Sequence, residues 1–383
     1  MTTIAPFQRA DWAGLRAEFP DFREYTYLNF AMESPLPVRV ARAMQARLER
    51  SPCLPHNHAG CKASYQHARA AIARLVNAAP EEMAFVPNTA TALSMIARGL
   101  PLRAGDEVLL TDLEYPANVY PWMSLADQGV CVRILPHQGG GLDVDMLRAA
   151  ANEHTRAVTV SSVQFLSGYR ADLAAIGAFC RERGIYFVVD AIQSLGAIPM
   201  DVQAWNVDCL AAGGWKWLMG PLGQALMYCR RGLIPQMRPI LWGAGGVRHP
   251  EHYLRYDPSP VDDAGRFMVG AENASGIEGL GAAVQMLLDL DIACIEQRIL
   301  KLTQRLIDGL HSRGYALFRD LPPERRSGIV TFDAPDVDAL LARLTAADVL
   351  VAARPDASGK RYMRVSPHAC NTAEDIERLL EAL

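Results

Sequence analysis

The segment IYFVVDA, residues 185–191, is a run of apolar side chains that ends in one carboxylate, Asp190. Apolar residues on both faces of so short a run predict a β-strand that is buried on both sides. Such a strand belongs to a parallel sheet covered by helices, and ligands of these sheets gather at the carboxyl ends of the strands. Asp190 is therefore a candidate binding residue, with a helix N-cap or a surface loop as the alternative.

The same rhythm continues on either side of this strand. From about residue 65, amphipathic helical segments alternate with short apolar strands, which predicts an α/β domain with a mostly parallel sheet. Beyond about residue 265, a long helical stretch followed by short strands predicts a smaller α+β domain. A boundary in the polar segment YDPSPVDDAG makes residues 26–260 the large domain, and residues 1–25 with 261–383 the small one.

The composition is that of an ordinary globular protein. The chain has 383 residues, half of them hydrophobic, and its formal net charge of −4 gives no bias toward nucleic acid or anionic membranes. We see no apolar run of membrane-spanning length, no secretory signal, and eight dispersed cysteines without a disulfide framework. These features predict a cytoplasmic protein that binds neither nucleic acid nor membranes.

A lysine in apolar surroundings is the second candidate for chemistry. In GGWKWLMGPLG, residues 213–223, Lys216 is the only ionisable group and stands between Trp215 and Trp217. Desolvation favours the neutral amine, which can form a Schiff base with a carbonyl compound. The alternative is a lysine whose stem packs on tryptophan while its ammonium group reaches water.

Three further motifs offer binding groups, each with an ordinary alternative. Thr89 and Thr91 begin a helix in FVPNTATALSMIARGL, where hydroxyls and helix N–H groups can bind phosphate or simply cap the helix. Tyr115, after the strand EVLLTD, can stack on a flat cofactor or pack in the interior. Arg364, in KRYMRVSPHACN, can bind a substrate carboxylate with two hydrogen bonds or face solvent.

In their order, these motifs resemble the class V group of pyridoxal-phosphate (PLP) enzymes of fold type I, which includes cysteine desulfurases, kynureninases and isopenicillin N epimerase-like proteins. The resemblance extends from YTYLNFAMESPLP, residues 25–37, to MRVSPHACNTAEDIERL, residues 363–379. Its most specific part combines Asp190 and Gln193 with the Lys–Trp–Leu sequence at Lys216. It implies a seven-stranded, mostly parallel sheet in the large domain, bound PLP, and a homodimer with active sites at the interface.

The resemblance also assigns roles to individual residues. Lys216 would hold PLP covalently and shuttle a proton, Asp190 would pair with the pyridinium nitrogen, and Arg364 would bind the substrate α-carboxylate. Gln193 would form a hydrogen bond with the ring hydroxyl. The other assignments are cofactor contacts for Thr89, Ala90, Tyr115 and Gly213, and substrate contacts for Asn29 and His58.

One departure from the family guides the expected reaction. Desulfurases carry a nucleophilic cysteine shortly before the carboxylate-binding arginine, but VLVAARPDASGKRYMR, residues 349–364, has none. We therefore expect an enzyme that abstracts the Cα proton of a small α-amino acid as an aminotransferase or an isopenicillin N epimerase-like protein. The alternatives are a C–S or C–C lyase of the cysteine lyase or kynureninase type, without persulfide formation, and a non-catalytic scaffold or regulator.

Other departures concern the surroundings of the cofactor. The segment GAEN, residues 270–273, replaces the usual GTPN, so either the phosphate lacks that contact or the site is remodelled. Trp215 stands where desulfurases have histidine, and Gln164 and Phe165 stand where many members have asparagine over the cofactor.

A cluster of soft ligands precedes these motifs. The segment CLPHNHAGC has the spacing Cys-x2-His-x-His-x2-Cys, which is not a recurrent zinc-binding spacing. We therefore predict no metal. We expect Cys53, His56, His58 and Cys61 to form a polar loop at the substrate entrance, with an ordinary surface loop as the alternative.

Overall fold

The computed structural model describes residues 6–50 and 58–383, without the side chains of residues 58–62. Its helices are α1 Trp12–Ala17, α2 Val38–Arg50, α3 His58–Leu75, α4 Thr89–Gly99, α5 Tyr120–Met123, α6 Val144–Ala150, α7 Leu173–Arg183, α8 Ala274–Leu290, α9 Ile292–Ser312, α10 Val337–Ala346 and α11 Ala373–Glu381. Its strands are β1 Thr26–Tyr27, β2 Met83–Val86, β3 Glu107–Thr111, β4 Cys131–Leu135, β5 Thr155–Ser161, β6 Tyr186–Asp190, β7 Cys209–Gly213, β8 Ala225–Cys229, β9 Val330–Phe332, β10 Val349–Leu350, β11 Ala352–Pro355 and β12 Arg361–Val365.

The large sheet has seven strands in the order β2-β8-β7-β6-β5-β3-β4. All neighbours are parallel except β8, which runs antiparallel to both β2 and β7. The predicted mostly parallel α/β fold is therefore confirmed. Helices cover both faces of this sheet, and β7 and β8 are buried along their whole length. Strands buried in this way carry apolar side chains on both faces. The carboxyl ends of β2, β3, β5, β6 and β7 consequently meet at one edge.

A smaller, antiparallel sheet of β11, β12 and β9 lies in the C-terminal part, and β1 pairs with β10. One hydrophobic core surrounds the large sheet, and a second one joins α9 and α11 to the small sheet. Helix α8 packs against α2 and α3. The domain boundary near residue 260 stays a prediction. No helix among the described residues is long and apolar enough to cross a bilayer.

A buried histidine connects the C-terminal segment to the turn that carries the candidate lysine. His368 Nδ1 lies 2.7 Å from the backbone N–H of Ala369, which donates to it, so Nε2 is the protonated nitrogen. Nε2 then donates to the carbonyl oxygen of Trp217 at 3.1 Å. Burial lowers the pKa of His368 to about 4, and the ring is neutral at physiological pH.

This histidine predicts a measurable loss of stability in acid. Between pH 6.5 and about 4, the unfolded chain binds a proton at His368 that the native ring does not bind. The free energy of unfolding therefore decreases as the pH is lowered through this range. The resulting loss in the free energy of unfolding reaches about 3 kcal/mol. We expect the stability advantage of wild type over His368→Gln, measured by urea unfolding, to shrink as pH is lowered from 7.5 to 4.5. A constant difference would contradict the assignment.

Candidate active site

Asp190 ends β6 at the sheet edge where the parallel strands finish. Its side chain is buried, and Oδ1 accepts a hydrogen bond from the backbone N–H of Ile192 at 3.0 Å. Burial raises the pKa of Asp190, and the nearby charge of Lys216 acts in the opposite direction. A cationic partner on the ring of a cofactor would hold this carboxylate ionised.

Lys216 lies on the turn that follows β7, with Nζ 5.8 Å from the ring centroid of Tyr115. Burial lowers the pKa of Lys216, the charge of Asp190 raises it, and the guanidinium of Arg364 lowers it further. The amine form is therefore accessible near neutral pH, as covalent attachment to an aldehyde requires. The Lys216 side chain is partly buried, and its attachment to a cofactor stays a prediction.

Neighbouring segments fix the lysine turn in place. Trp217 is fully buried, and its Nε1 donates to Gln193 Oε1 at 2.9 Å. Gly196 has φ +101°, and a Cβ there would lie 2.4 Å from the Trp217 carbonyl oxygen. Only glycine allows this close approach. Gln193 Nε2 donates to the carbonyl oxygen of Ala31 at 3.0 Å, which leaves one N–H for the predicted contact with the ring hydroxyl.

Arg364, on β12, is only 2% exposed. Its Nη1 donates to the carbonyl oxygen of Phe165 at 3.0 Å, while Nε and Nη2 have no hydrogen-bond partner among the described residues. Burial lowers the pKa of Arg364 to about 9, so the guanidinium stays charged at neutral pH. A buried cation with unused donors requires an anionic partner, and a carboxylate matches its geometry.

Thr89 begins α4 at the same sheet edge. Asn88 caps the helix by accepting from the Thr91 N–H at 2.8 Å, and the buried Thr89 Oγ1 has no partner in the described chain. The capping alternative therefore does not apply to Thr89. An unpartnered hydroxyl at a helix N-terminus suits a phosphate, and Ala90 follows it in the first turn.

The remaining residues predicted to contact the cofactor or the substrate differ in their exposure and in their neighbours. Tyr115 follows β3, half-exposed, and packs edge-on against Phe165 with ring centroids 5.3 Å apart. Gly213 ends β7, and the Trp215 ring occupies the space of a Cβ there. Asn29 Oδ1 is buried and unpartnered within the described residues. Of the loop cluster, Cys53 and His56 lie outside the described residues, as do the side chains of His58 and Cys61.

Sequence reasoning missed a buried carboxylate, Glu114, although it directly precedes Tyr115. Its oxygens accept from Ser161 N and Oγ, from Asn118 Nδ2 at 2.8 Å, and from Gln164 Nε2 at 2.7 Å. Burial raises the pKa of Glu114, while these donors stabilise its ionised form. Because Gln164 points its amide nitrogen at Glu114, its buried Oε1 has no partner among the described residues. The available signal was a carboxylate two residues after the predicted buried strand EVLLTD.

This set of groups fits PLP. Thr89 and the start of α4 would hold the phosphate, Asp190 the ring nitrogen, and Lys216 the aldehyde. The unpartnered nitrogens of Arg364 are left for the carboxylate of an amino acid. A parallel α/β sheet with these groups at its carboxyl edge defines a PLP enzyme of fold type I.

The chain belongs to the aminotransferase class-V family, whose model matches residues 26–379. It is 30% identical over 342 residues to a probable cysteine desulfurase of Methanothermobacter thermautotrophicus, covering 85% of this chain and 82% of the relative. The structure resembles the cysteine desulfurase CsdA of Escherichia coli with a TM-score of 0.88, 27% identity and 97% of each chain covered. It also resembles the cystine C–S lyase C-DES, in complex with its reaction product cysteine persulfide, with a TM-score of 0.86, 25% identity and 95% and 98% covered.

These comparisons confirm the resemblance and the assignment as a PLP-dependent enzyme, and they overturn the expected reaction. The prediction of an aminotransferase or epimerase-like activity, with lyase and scaffold alternatives that excluded persulfide formation, is wrong because the similar proteins are cysteine desulfurases. The error was to treat one cysteine in residues 349–364 as indispensable. In the complex of C-DES, the persulfide belongs to the product rather than to the enzyme.

Proposed function

We propose that this enzyme is a desulfurase that breaks the Cβ–S bond of cysteine and passes the sulfur to a thiol as a persulfide. Cysteine and a thiol then yield alanine and a persulfide. The C–S bond breaks, an S–S bond forms, and a proton replaces sulfur on Cβ, so no external oxidant or reductant is needed. The observation that carries this proposal is the buried Arg364 with two unused nitrogens beside Lys216, in a chain related to cysteine desulfurases.

In this proposal, each residue of the site has a separate role. Arg364 binds the α-carboxylate and thereby orients the amino acid. Lys216, as an amine of lowered pKa, accepts the Cα proton and returns it. Bound PLP supplies an electron sink for the carbanion at Cα. Asp190 supports that sink by pairing with the ring nitrogen.

Most of the described cysteines make poor sulfur acceptors, and the partly exposed Cys294 lies in the first turn of α9. Four of them are buried: Cys180, Cys209, Cys229 and Cys370. Burial raises the thiol pKa of Cys180, Cys209 and Cys370, which keeps the sulfur protonated and weakly nucleophilic. The exposed Cys131 begins β4, at the edge of the sheet opposite to the site. We therefore propose an external thiol as the acceptor.

The test is product analysis on the holoenzyme with L-cysteine, with and without a small thiol such as dithiothreitol. We expect equal amounts of alanine and sulfide, with a rate that rises with thiol concentration. A Cys53→Ser/Cys61→Ser variant should retain the thiol-dependent rate, and Cys131→Ser serves as the matched control. Keto acid or D-cysteine without sulfide would reject desulfuration. Loss of all sulfur release in the double variant would place the acceptor on the enzyme.

We further propose that the enzyme is a cytoplasmic homodimer. A group of large apolar side chains is exposed between residues 241 and 256, formed by Leu241, Trp242, Tyr253, Leu254 and Tyr256. Monomers rarely expose such groups in one segment, and a subunit contact would cover them.

A further inference from the structure

A turn in a closed surface loop brings two histidines and a glutamate together. The sequence HPEH begins at His249 and forms a β-turn, in which the backbone N–H of His252 donates to the carbonyl oxygen of His249 at 3.1 Å. Pro250 occupies the second position, where its fixed φ suits such a turn. The ends of the loop are joined, since Val247 and Pro260 form an antiparallel bridge. The backbone therefore fixes the spacing of the two histidines.

Both imidazole rings lie beside the same carboxylate oxygen. Glu251 Oε1 lies 3.4 Å from His249 Nδ1 and 3.4 Å from His252 Nε2. The two rings are stacked on each other, with centroids 4.8 Å apart and an angle of 14° between their planes. An ordinary N–H···O hydrogen bond is about 2.7–3.2 Å long. Neither contact of the carboxylate is therefore a hydrogen bond of ordinary length.

These separations match the edges of a tetrahedral zinc site. Nitrogen and oxygen ligands lie about 2.0–2.1 Å from zinc, so two ligands of a tetrahedron are about 3.3–3.4 Å apart. The distances from Glu251 Oε1 to the two ring nitrogens have this value. The third separation, between the two nitrogens, is within 4.8 Å. All three side chains are exposed, so rotation about their side-chain bonds can shorten it.

The types of ligand favour a transition-metal ion. Imidazole suits zinc, copper and nickel, whereas Mg²⁺ and Ca²⁺ prefer oxygen ligands. Within the described parts of the chain, no other three histidine, cysteine or carboxylate side chains are arranged in this way. We propose that His249, Glu251 and His252 bind one Zn²⁺ ion, with water in the fourth position. None of these residues has a role in the proposed desulfuration, so the zinc site is independent of that activity.

The experiment is a calorimetric titration of Zn²⁺ into the holoenzyme. A Cys53→Ser/Cys61→Ser background removes the thiols of the segment CLPHNHAGC, so that they do not compete for the ion. In this background we expect one zinc site per chain. His249→Gln/His252→Gln should weaken binding at least about 100-fold, because loss of a group that merely supports a metal ligand already costs about 10- to 100-fold.

His154→Gln is the matched control. His154 is also exposed, and its Nε2 lies 3.8 Å from Glu153 Oε1. This variant should keep the zinc affinity of the background protein. Glu251→Gln preserves the size of the side chain but removes the charged oxygen, and it should weaken binding at least about tenfold. Cofactor absorbance of each variant before titration reports that the protein is folded.

Three results would overturn the proposal. The first is a background protein that binds no zinc, or whose zinc affinity survives in His249→Gln/His252→Gln. The second is an equal loss of affinity in His154→Gln, because zinc would then bind to exposed histidines in general. The third is displacement of zinc by an equal concentration of Mg²⁺, which would mean that the carboxylate alone holds the ion. The proposed desulfuration is tested separately, by its products.

Discussion

Lys216→Ala is expected to lower kcat for cysteine desulfuration by about 10⁴-fold, at the upper end of what a positioned acid–base group contributes. The lysine is the only residue of its apolar turn that can bond to the cofactor aldehyde and carry the Cα proton. Its lowered pKa provides the amine for both tasks. Borohydride reduction followed by peptide mass analysis should attach the cofactor to the Lys216 peptide in wild type and not in the variant.

Two controls separate this role from a general effect on folding. Lys301→Ala removes an exposed lysine of α9 and should leave kcat unchanged. Lys216→Arg keeps a positive charge but stays protonated, so it should be as inactive as the alanine variant. Added methylamine should restore part of the activity to Lys216→Ala. An alanine variant with more than a tenth of the wild-type kcat would reject the assignment.

The large sheet could be predicted because the side-chain pattern of each short segment is enough to identify a buried strand. A run such as IYFVVDA specifies a strand that is buried on both faces, and parallel direction then places the ends of these strands at one edge. This rule alone predicts that Asp190 and Thr89 lie at the same edge of the sheet. The carboxyl ends of β6 and β2 lie at that edge in the structure.

The rest of the site depends on contacts between distant parts of the chain. The buried network of Glu114 joins the ends of β3 and β5, and the position of Arg364 opposite Ala352 depends on the register of a hairpin. His368 reaches the lysine turn across 151 positions of sequence. Neither periodicity nor a local motif specifies such partners. The predicted reaction was wrong because the absence of a cysteine from residues 349–364 does not exclude desulfuration.

Arg364→Gln is expected to raise KM for cysteine about 30- to 700-fold, equivalent to a loss of roughly 2–4 kcal/mol. The guanidinium is buried, and among the described residues only Nη1 has an acceptor, the carbonyl oxygen of Phe165. Glutamine can replace that single bond but supplies neither the charge nor the paired donors for a carboxylate. The cofactor absorbance of the variant should stay unchanged, because the proposed contacts of Arg364 are with substrate.

Arg364→Lys separates charge from geometry at this position. Lysine restores a cation but not the planar pair of donors, so its KM should lie between those of wild type and the glutamine variant. Arg361→Gln, an exposed arginine of the same strand, is the matched control and should show the wild-type KM. A wild-type KM in Arg364→Gln would mean that the α-carboxylate binds elsewhere. The two unused nitrogens of this buried cation would then require a different anion as their partner.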